Sequence, residues 1–379
     1  MIMSSVSVKI PLKDQLFHKQ KVIKIAHEIA AVDCTFDQQH FVAEVVDRFP
    51  QLELKERITW ITICLEKYLP KEYRRAVNIL IQSLPAPNDP TLSDNDFGDF
   101  IYAPYAEFIA KHGCLTPDLH FSLQALKEIT MRFSAEDAIR YFINAFPRET
   151  LSELLVWSKD SNYHVRRLCS EGTRPKLPWA QKIHIDISEP IAILDNLYAD
   201  HTRFVTRSVA NHINDISKID SQLSINTLKR WRDSKKQTQQ EMDYITRHAL
   251  RTLIKRGDQA AFSLLGISTA SCELLQFLVP QKVKMNSELV FHITVLAQER
   301  MDAIIDYVIS FQSKRGTMSN KKVFKLKKIT LYPDEQVTLT KRHMMKQHMT
   351  TRTLYHGKQT IEIQINGVLC GKKEFELVV

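Results

Sequence analysis

The chain has 379 residues, 44% hydrophobic and 25% charged, an ordinary composition for a folded protein with a large core and room for two domains. No apolar run approaches the ~20 residues that span a bilayer, and the first 13 residues lack the apolar core and cleavage site of a secretory leader, so neither a membrane protein nor a secreted one is expected. The six cysteines (34, 64, 114, 169, 272, 370) form no CxxC pair and read as reduced cytoplasmic thiols, with no disulfide frame or metal site.

Residues 15–31, 37–49, 52–68 and 73–84 carry apolar residues at three- and four-residue spacing and predict helices. Residues 85–98 follow with turn chemistry and an acidic character, either a mobile loop or a packed flap. Helical spacing resumes at 100–111, 117–131 and 134–146, and from Glu149 the helices come in short pairs: 151–158 with 163–172, 190–199 with 204–219, and 223–233 with 242–255. The second members align, Val165 over Val205, Arg167 over Arg207 and Glu171 over Asn211, with 241–250 repeating the spacing. A period of ~40 residues is that of HEAT-like helical pairs, which stack into a solenoid with the equivalent positions on one concave face.

Period-two alternation then takes over at 284–297 and 302–311, where Phe291, Ile293 and Val295, and Ile305, Tyr307, Ile309 and Phe311, fall on one side. Residues 323–331, 336–342, 360–366 and 374–378 also predict strands, with turns at 332–335 and at Asn366-Gly367. The fold class expected is an all-α HEAT-like solenoid over 1–279 followed by a small all-β immunoglobulin-like sandwich over 280–379. Charge divides along the same line. From Lys314 onward 14 Lys and Arg face 5 Asp and Glu, leaving 38 of each before it, so the net +9 belongs to the sandwich. A cationic module points to an anionic polymer, with nucleic acid the first candidate; the plain alternative is a basic surface that only confers solubility.

Candidate chemistry concentrates at 157–179, where Trp157, Arg166, Arg167, Glu171, Arg174 and Trp179 crowd a short helix stopped by Gly172, Pro175 and Pro178. Glu171 stands in the last helical turn, where the dipole disfavours an anion. Either it pairs with Arg167 or Arg174, or it is a catalytic or cation-binding carboxylate. Glu136 lies near Ser134 and Asp137, which suggest a capping box, and Arg140 stands four residues on as a possible partner. Trp179, after a Lys-Leu-Pro turn, offers an indole for a flat cation. No phosphate loop, HExxH, GxSxG or metal-spaced cluster is present.

These residues resemble the AlkC family of DNA alkylation repair glycosylases, HEAT-like relatives of AlkD. The matching runs are Glu136-Asp-Ala-Ile-Arg-Tyr-Phe-Ile143, Trp157-Ser-Lys-Asp160, His164-Val-Arg-Arg167, Ser170-Glu-Gly-Thr-Arg-Pro-Lys-Leu-Pro-Trp179 and Ser208-Val-Ala-Asn-His-Ile-Asn-Asp215. The stretches 54–57 and 99–113 are similar too, and the basic sandwich resembles the immunoglobulin-like domain of some members. Asp137 and Tyr141 depart from the family pattern. The resemblance implies a monofunctional glycosylase acting on cationic alkylated bases of the 3-methyladenine and 3-methylcytosine class in duplex DNA, with Glu136 and Glu171 as catalytic carboxylates. It implies Arg167 and Trp179 as holders of the lesion strand, with Arg166, Arg174, Lys159, Arg207 and Asn211 as further DNA contacts. No cofactor, metal or membrane is implied, and a cytoplasmic, nucleoid-associated monomer is expected. Family members are thought to bend the duplex without a deep base-flipping pocket. The competing expectation is a non-catalytic HEAT-like scaffold that binds DNA or protein.

Overall fold

The computed structural model describes residues 10–92, 94, 97–267, 272–350 and 352–379. The chain forms two compact units, one comprising everything up to Ile216 together with Ser234–Glu241, the other Ser217–Asp233 with Met242–Val379. Residues 1–9, and Ser93, Asn95 and Asp96 of the 85–98 stretch, lie outside the described residues. Among the described residues no helix is long and apolar enough to cross a membrane.

The first unit is built from α1 (Leu12–Leu16), α2 (Lys19–Val32), α3 (Gln38–Asp47), α4 (Leu54–Tyr68), α5 (Tyr73–Gln82), α6 (Ala103–Gly113), α7 (Leu119–Thr130), α8 (Ile139–Ala145), α9 (Pro147–Trp157), α10 (Tyr163–Gly172), α11 (Ile191–Leu197) and α12 (Arg203–Ile216). Starts follow local chemistry. Glu53 and Glu56 close a reciprocal capping box on α4, and Asn162 caps α10 by accepting from the His164 N–H at 2.8 Å. The described part of the 85–98 stretch packs: Asn88 N–H donates to the Met131 carbonyl at 2.9 Å, and the Phe97 ring meets Phe204 edge-on at 5.4 Å.

The capping box expected at Ser134 and Asp137 does not form, and the expected helix over 134–146 begins only at Ile139, with Ala138 as an uncapped start. Its polar residues are engaged otherwise. Ser134 Oγ donates to nearby Glu136 Oε2 at 2.7 Å and accepts from Arg167 Nη1 at 3.1 Å, and Asp137 Oδ2 pairs with Lys55 at 3.2 Å. The α10 helix differs more sharply from expectation. All ten of its residues are buried, including His164, Arg166, Arg167 and Glu171. A helix carrying that much polarity inside a fold requires nearly every charge to be partnered.

The second unit carries α13 (Ser221–Ser234), most of α14 (Gln239–Arg256) and α15 (Gln259–Leu264), then ten strands: β1 (Cys272–Leu278), β2 (Lys282–Lys284), β3 (Glu288–Ala297), β4 (Met301–Gln312), β5 (Met318–Leu331), β6 (Gln336–Met344), β7 (His348–Met349), β8 (Arg352–Thr353), β9 (Gly357–Ile365) and β10 (Val368–Val378). One sheet runs β1-β3-β6 and the other β2-β10-β9-β4-β5, with β7 and β8 forming a separate ribbon. The inward residues predicted from alternation form the core: Phe291, Ile293 and Val295 with Ile305, Tyr307, Ile309 and Phe311, joined by Ile361 and Ile363. Each such side chain contributes roughly 1.5–3 kcal/mol on burial. Asn366 and Gly367, at φ 44° and 80°, make the two-residue turn between β9 and β10. The sandwich starts at Cys272, ahead of the 280 boundary that alternation suggested. A register shift between Leu274 and Gln276 breaks the period-two signal of β1.

Candidate active site

Gly172 ends α10 against Ile139, the first residue of α8. A Cβ there would lie 2.5 Å from Ile139 Cγ2, so the absence of a side chain lets the two helices approach. Arg140, on α8 and buried, then secures the chain beyond α10. Its Nη1 donates to the carbonyls of Gly172 (2.9 Å) and Arg174 (2.8 Å), and its Nε to that of Gln181 (2.6 Å). Arg140 therefore holds the 172–181 loop and does not pair with Glu136.

Around this close approach lies a ladder of alternating charge. Arg167 Nη1 donates to Glu136 Oε2 at 2.8 Å and to Ser134 Oγ at 3.1 Å, while Nη2 lies 3.7 Å from Glu171 Oε2. Arg174 Nη1 hydrogen-bonds Glu171 Oε1, and its Nη2 and Nε meet Asp215 Oδ2 at 2.8 and 2.9 Å. Ser208 Oγ, on α12, donates to Glu171 Oε2 at 2.6 Å. Three carboxylates alternate with two guanidiniums, a net charge of −1. The ladder is graded in access: the Asp215 and Glu171 side chains are 2% and 6% exposed, that of Glu136 28%. Ser134 and Arg167 both donate to Oε2 of Glu136 and leave Oε1 available as an acceptor.

Burial alone would raise the Glu171 carboxyl, but the Arg167 and Arg174 guanidiniums and the hydrogen bonds from Ser208 and Arg174 outweigh it and hold Glu171 below the ordinary carboxylate range. Glu171 is thus a buried anion at neutral pH, and the ion pairs weighed from the sequence are both present. His212 sits behind it. Burial pushes the imidazole down to about 4, and Nδ1, facing the Ser170 carbonyl at 3.0 Å, must be the donor. Arg167 also lies over the Phe204 ring, 4.4 Å from its centroid.

The other expected DNA contacts scatter in character. Arg166 is withdrawn from that role. Its Nε and Nη2 clamp Asp200 at 2.5 and 3.1 Å, and Nη1 donates to the carbonyls of Asp160 and Ser161 at 2.9 and 2.8 Å, which occupies the guanidinium inside the fold. Arg174, saturated by Glu171 and Asp215, is likewise committed to the ladder. Arg207 pairs with Asp94 and keeps 31% of its side chain exposed; Asn211 is half-buried and Lys159 exposed. Trp179 is 75% exposed and adopts φ +65°, a left-handed conformation rare for an aromatic residue. Its carbonyl accepts a hydrogen bond from Lys55, whose ammonium also contacts Asp137, the neighbour of Glu136.

Asp215, Ser208 and Lys55 carry structural weight that no role read from the sequence gave them, and Arg140 a different one from the Glu136 pairing weighed for it. Asp215 and Ser208 fall within the 208–215 run, and Asp215 stands in the last turn of α12 as Glu171 does in α10. That repeated dipole-disfavoured acid was the available signal. Nothing in one dimension connects Lys55 to a residue 124 positions away.

A helical-repeat body followed by a β-sandwich, with a buried acid–arginine ladder ending at one accessible glutamate, defines a class of HEAT-like proteins bearing an immunoglobulin-like domain. Residues 275–379 match the family model described as the C-terminal Ig-like domain of the uncharacterised protein YhaZ. Over 369 residues the chain is 31% identical to the uncharacterized protein YhaZ of Bacillus subtilis strain 168, covering 96% of this chain and 98% of that one. Among solved structures it is similar to the Pseudomonas fluorescens alkylpurine DNA glycosylase AlkC bound to DNA containing an abasic site analog, at 30% identity and a TM-score of 0.84, covering 97% of this chain and all of that one. The chain belongs to the AlkC family of HEAT-like DNA alkylation repair glycosylases with a C-terminal immunoglobulin-like domain.

Proposed function

We propose that this chain is a monofunctional DNA glycosylase that hydrolyses the N-glycosidic bond of cationic alkylated bases, of the 3-methyladenine and 3-methylcytosine class, in double-stranded DNA. The observation that carries the reading is the ladder itself: a net negative, mostly buried array whose accessible end is Glu136, with the backbone carbonyl of the exposed Trp179 tied through Lys55 to Asp137, the next residue along. Likeness to the alkylpurine glycosylase AlkC supports the same reading.

The chemistry follows from charge. An alkylated base that carries a positive charge leaves with the bonding electron pair and becomes neutral, so no strong general acid is needed. The C1′–N bond breaks, the sugar becomes oxocarbenium-like, and water adds through oxygen to C1′ while losing a proton. Glu136 would stabilise the sugar cation and orient or deprotonate that water. Glu171, buried and twice paired, would contribute differently. It would fix Arg167 in place and keep Glu136 from being neutralised by a guanidinium it did not share. The indole of Trp179 would face the cationic base. A normal base is neutral, so it leaves poorly and gains little from the negative field.

Phosphate contacts would fall to Arg207, Lys159 and the basic sandwich, with the helical part supplying the chemistry and the sandwich, from Cys272 onward, the grip. The exposed β5 edge strand, with Lys321, Lys322, Lys325, Lys327 and Lys328, is its densest cationic element. One copy of the chain at cytoplasmic DNA would suffice. Release of free methylated base from methylated duplex DNA tests the proposal. DNA binding without any base release would leave a non-catalytic scaffold instead.

A further inference from the structure

We propose that Lys55 is a positioning residue that sets the Trp179 indole against the Glu136 turn, a role that rests on the glycosylase reading of this site. Lys55 belongs to the 54–57 stretch. Its neighbours there are accounted for: Glu56 completes the α4 capping box, and Arg57 donates to the carbonyls of Phe17 (2.7 Å) and Phe49 (2.9 Å) and to Asp14 Oδ1 (2.7 Å). Lys55 takes part in neither. It lies in the first turn of α4, where the helix dipole disfavours a cation, so its charge needs an external reason.

The reason is visible in its two acceptors. The ammonium donates to the Trp179 carbonyl and contacts Asp137 Oδ2 at 3.2 Å. One acceptor belongs to the exposed tryptophan, the other to the residue following Glu136. Arg140 holds the loop at Gly172, Arg174 and Gln181, on either side of Trp179 but not at it. The indole itself, 75% exposed, supplies little packing to hold its backbone at φ +65°. A single ammonium group therefore ties the peptide bearing the stacking surface to the turn bearing the accessible carboxylate. Since a cationic base must meet both at once, a change in their separation acts on the chemical step more than on DNA affinity.

The test uses full-length protein labelled with 5-fluorotryptophan. The chain has four tryptophans, and Trp179→Phe assigns the resonance. Lys55→Met should shift or broaden the Trp179 signal and leave those of Trp157 and Trp231 in place. It should lower kcat for base release by about tenfold, with KM and DNA affinity within about twofold, and Lys55→Arg should restore most of the rate. Asp137→Asn, which weakens one anchor, should move the same resonance less. An unmoved Trp179 signal in Lys55→Met overturns the proposal. So does an intact kcat with weaker binding and a salt slope reduced by about one, which would make Lys55 a phosphate contact. If the wild type releases no methylated base, the glycosylase reading falls, and the fluorine signal still decides whether Lys55 positions Trp179.

Discussion

Arg167 donates to Glu136 from one side of its guanidinium and faces Glu171 from the other, at 2.8 and 3.7 Å. One cation is thereby shared between an accessible acid and a buried one. Neither carboxylate is fully neutralised, because Arg174 divides its own charge between Glu171 and Asp215. The ladder by itself keeps a surplus of one negative charge, with the Arg140 guanidinium close enough to act on Glu136 and Glu171.

That sharing predicts unequal consequences for two otherwise similar substitutions. Glu136→Gln should cut base release by about two orders of magnitude or more with little change in Tm, since the side chain is partly exposed. Glu171→Gln should cut release and also destabilise the fold, by about 3–5 kcal/mol, because it strips a buried anion from two buried guanidiniums. DNA affinity should survive in both. Thermal melts beside single-turnover excision check the pair; full excision in both variants would reject the site assignment.

The approach of Gly172 to Ile139 can be tested directly. Gly172→Ala places a methyl group 2.5 Å from Ile139 Cγ2, so the Ile139 side chain or the segment that carries it must shift. Overpacking of this kind costs about 1–3 kcal/mol, and here it also separates Glu136 from Arg167. Excision should fall more than stability does, and Ile139→Ala in the same chain should recover part of both. A defect that the second substitution does not relieve would place the cause elsewhere than in this close approach.

Glu171 also sets an acid limit on stability. Its folded-state carboxyl lies below the ordinary value of 4.5. A depressed acid stabilises fully above its unfolded value and loses that contribution as pH falls through the folded one. Melting temperatures followed down from about pH 7 should therefore drop on the acid side, and Glu171→Gln should flatten that limb. An unchanged limb in the variant would assign the acid sensitivity to other groups.

In the sandwich the sign reverses. Burial lifts Asp306 to about 6, against the pull of Lys325 and Lys255. An acid raised in the folded state favours folding below its unfolded value, 3.8, and that favour is lost as pH rises through about 6. Asp306→Asn should raise Tm at about pH 8 and leave it unchanged near pH 4. A lowered Tm at high pH would mean that the Lys325 and Lys255 attraction exceeds the burial penalty.

The β5 lysines invite two physical readings. An exposed edge strand is protected from pairing by lysine, and the same residues can neutralise phosphates. Replacing Lys322, Lys325, Lys327 and Lys328 by Gln should lower the slope of log affinity against log salt by about 0.9 for each phosphate no longer neutralised. An unchanged slope accompanied by self-association would assign these lysines to edge protection.

Periodicity alone carried much of the fold. The ~40-residue recurrence that set Arg167 over Arg207 showed paired helices, and alternation at Phe291, Ile293 and Val295 showed the sandwich core, because in both cases side-chain direction is a local consequence of backbone geometry. Local capping logic failed at Ser134 and Asp137, whose polar groups are engaged by the distant Arg167 and Lys55. The sequence marked Glu171 as an acid in an unfavourable place and, through family resemblance, Glu136 as its companion. Only the tertiary structure decided that Glu171 is buried and shared, that Glu136 is the accessible end, and that Arg166 is occupied by Asp200. It alone joined Lys55 to Trp179. Such pairings span up to 124 residues and depend on how helices pack, and that packing is set by close approaches such as Gly172 on Ile139 that no local pattern encodes.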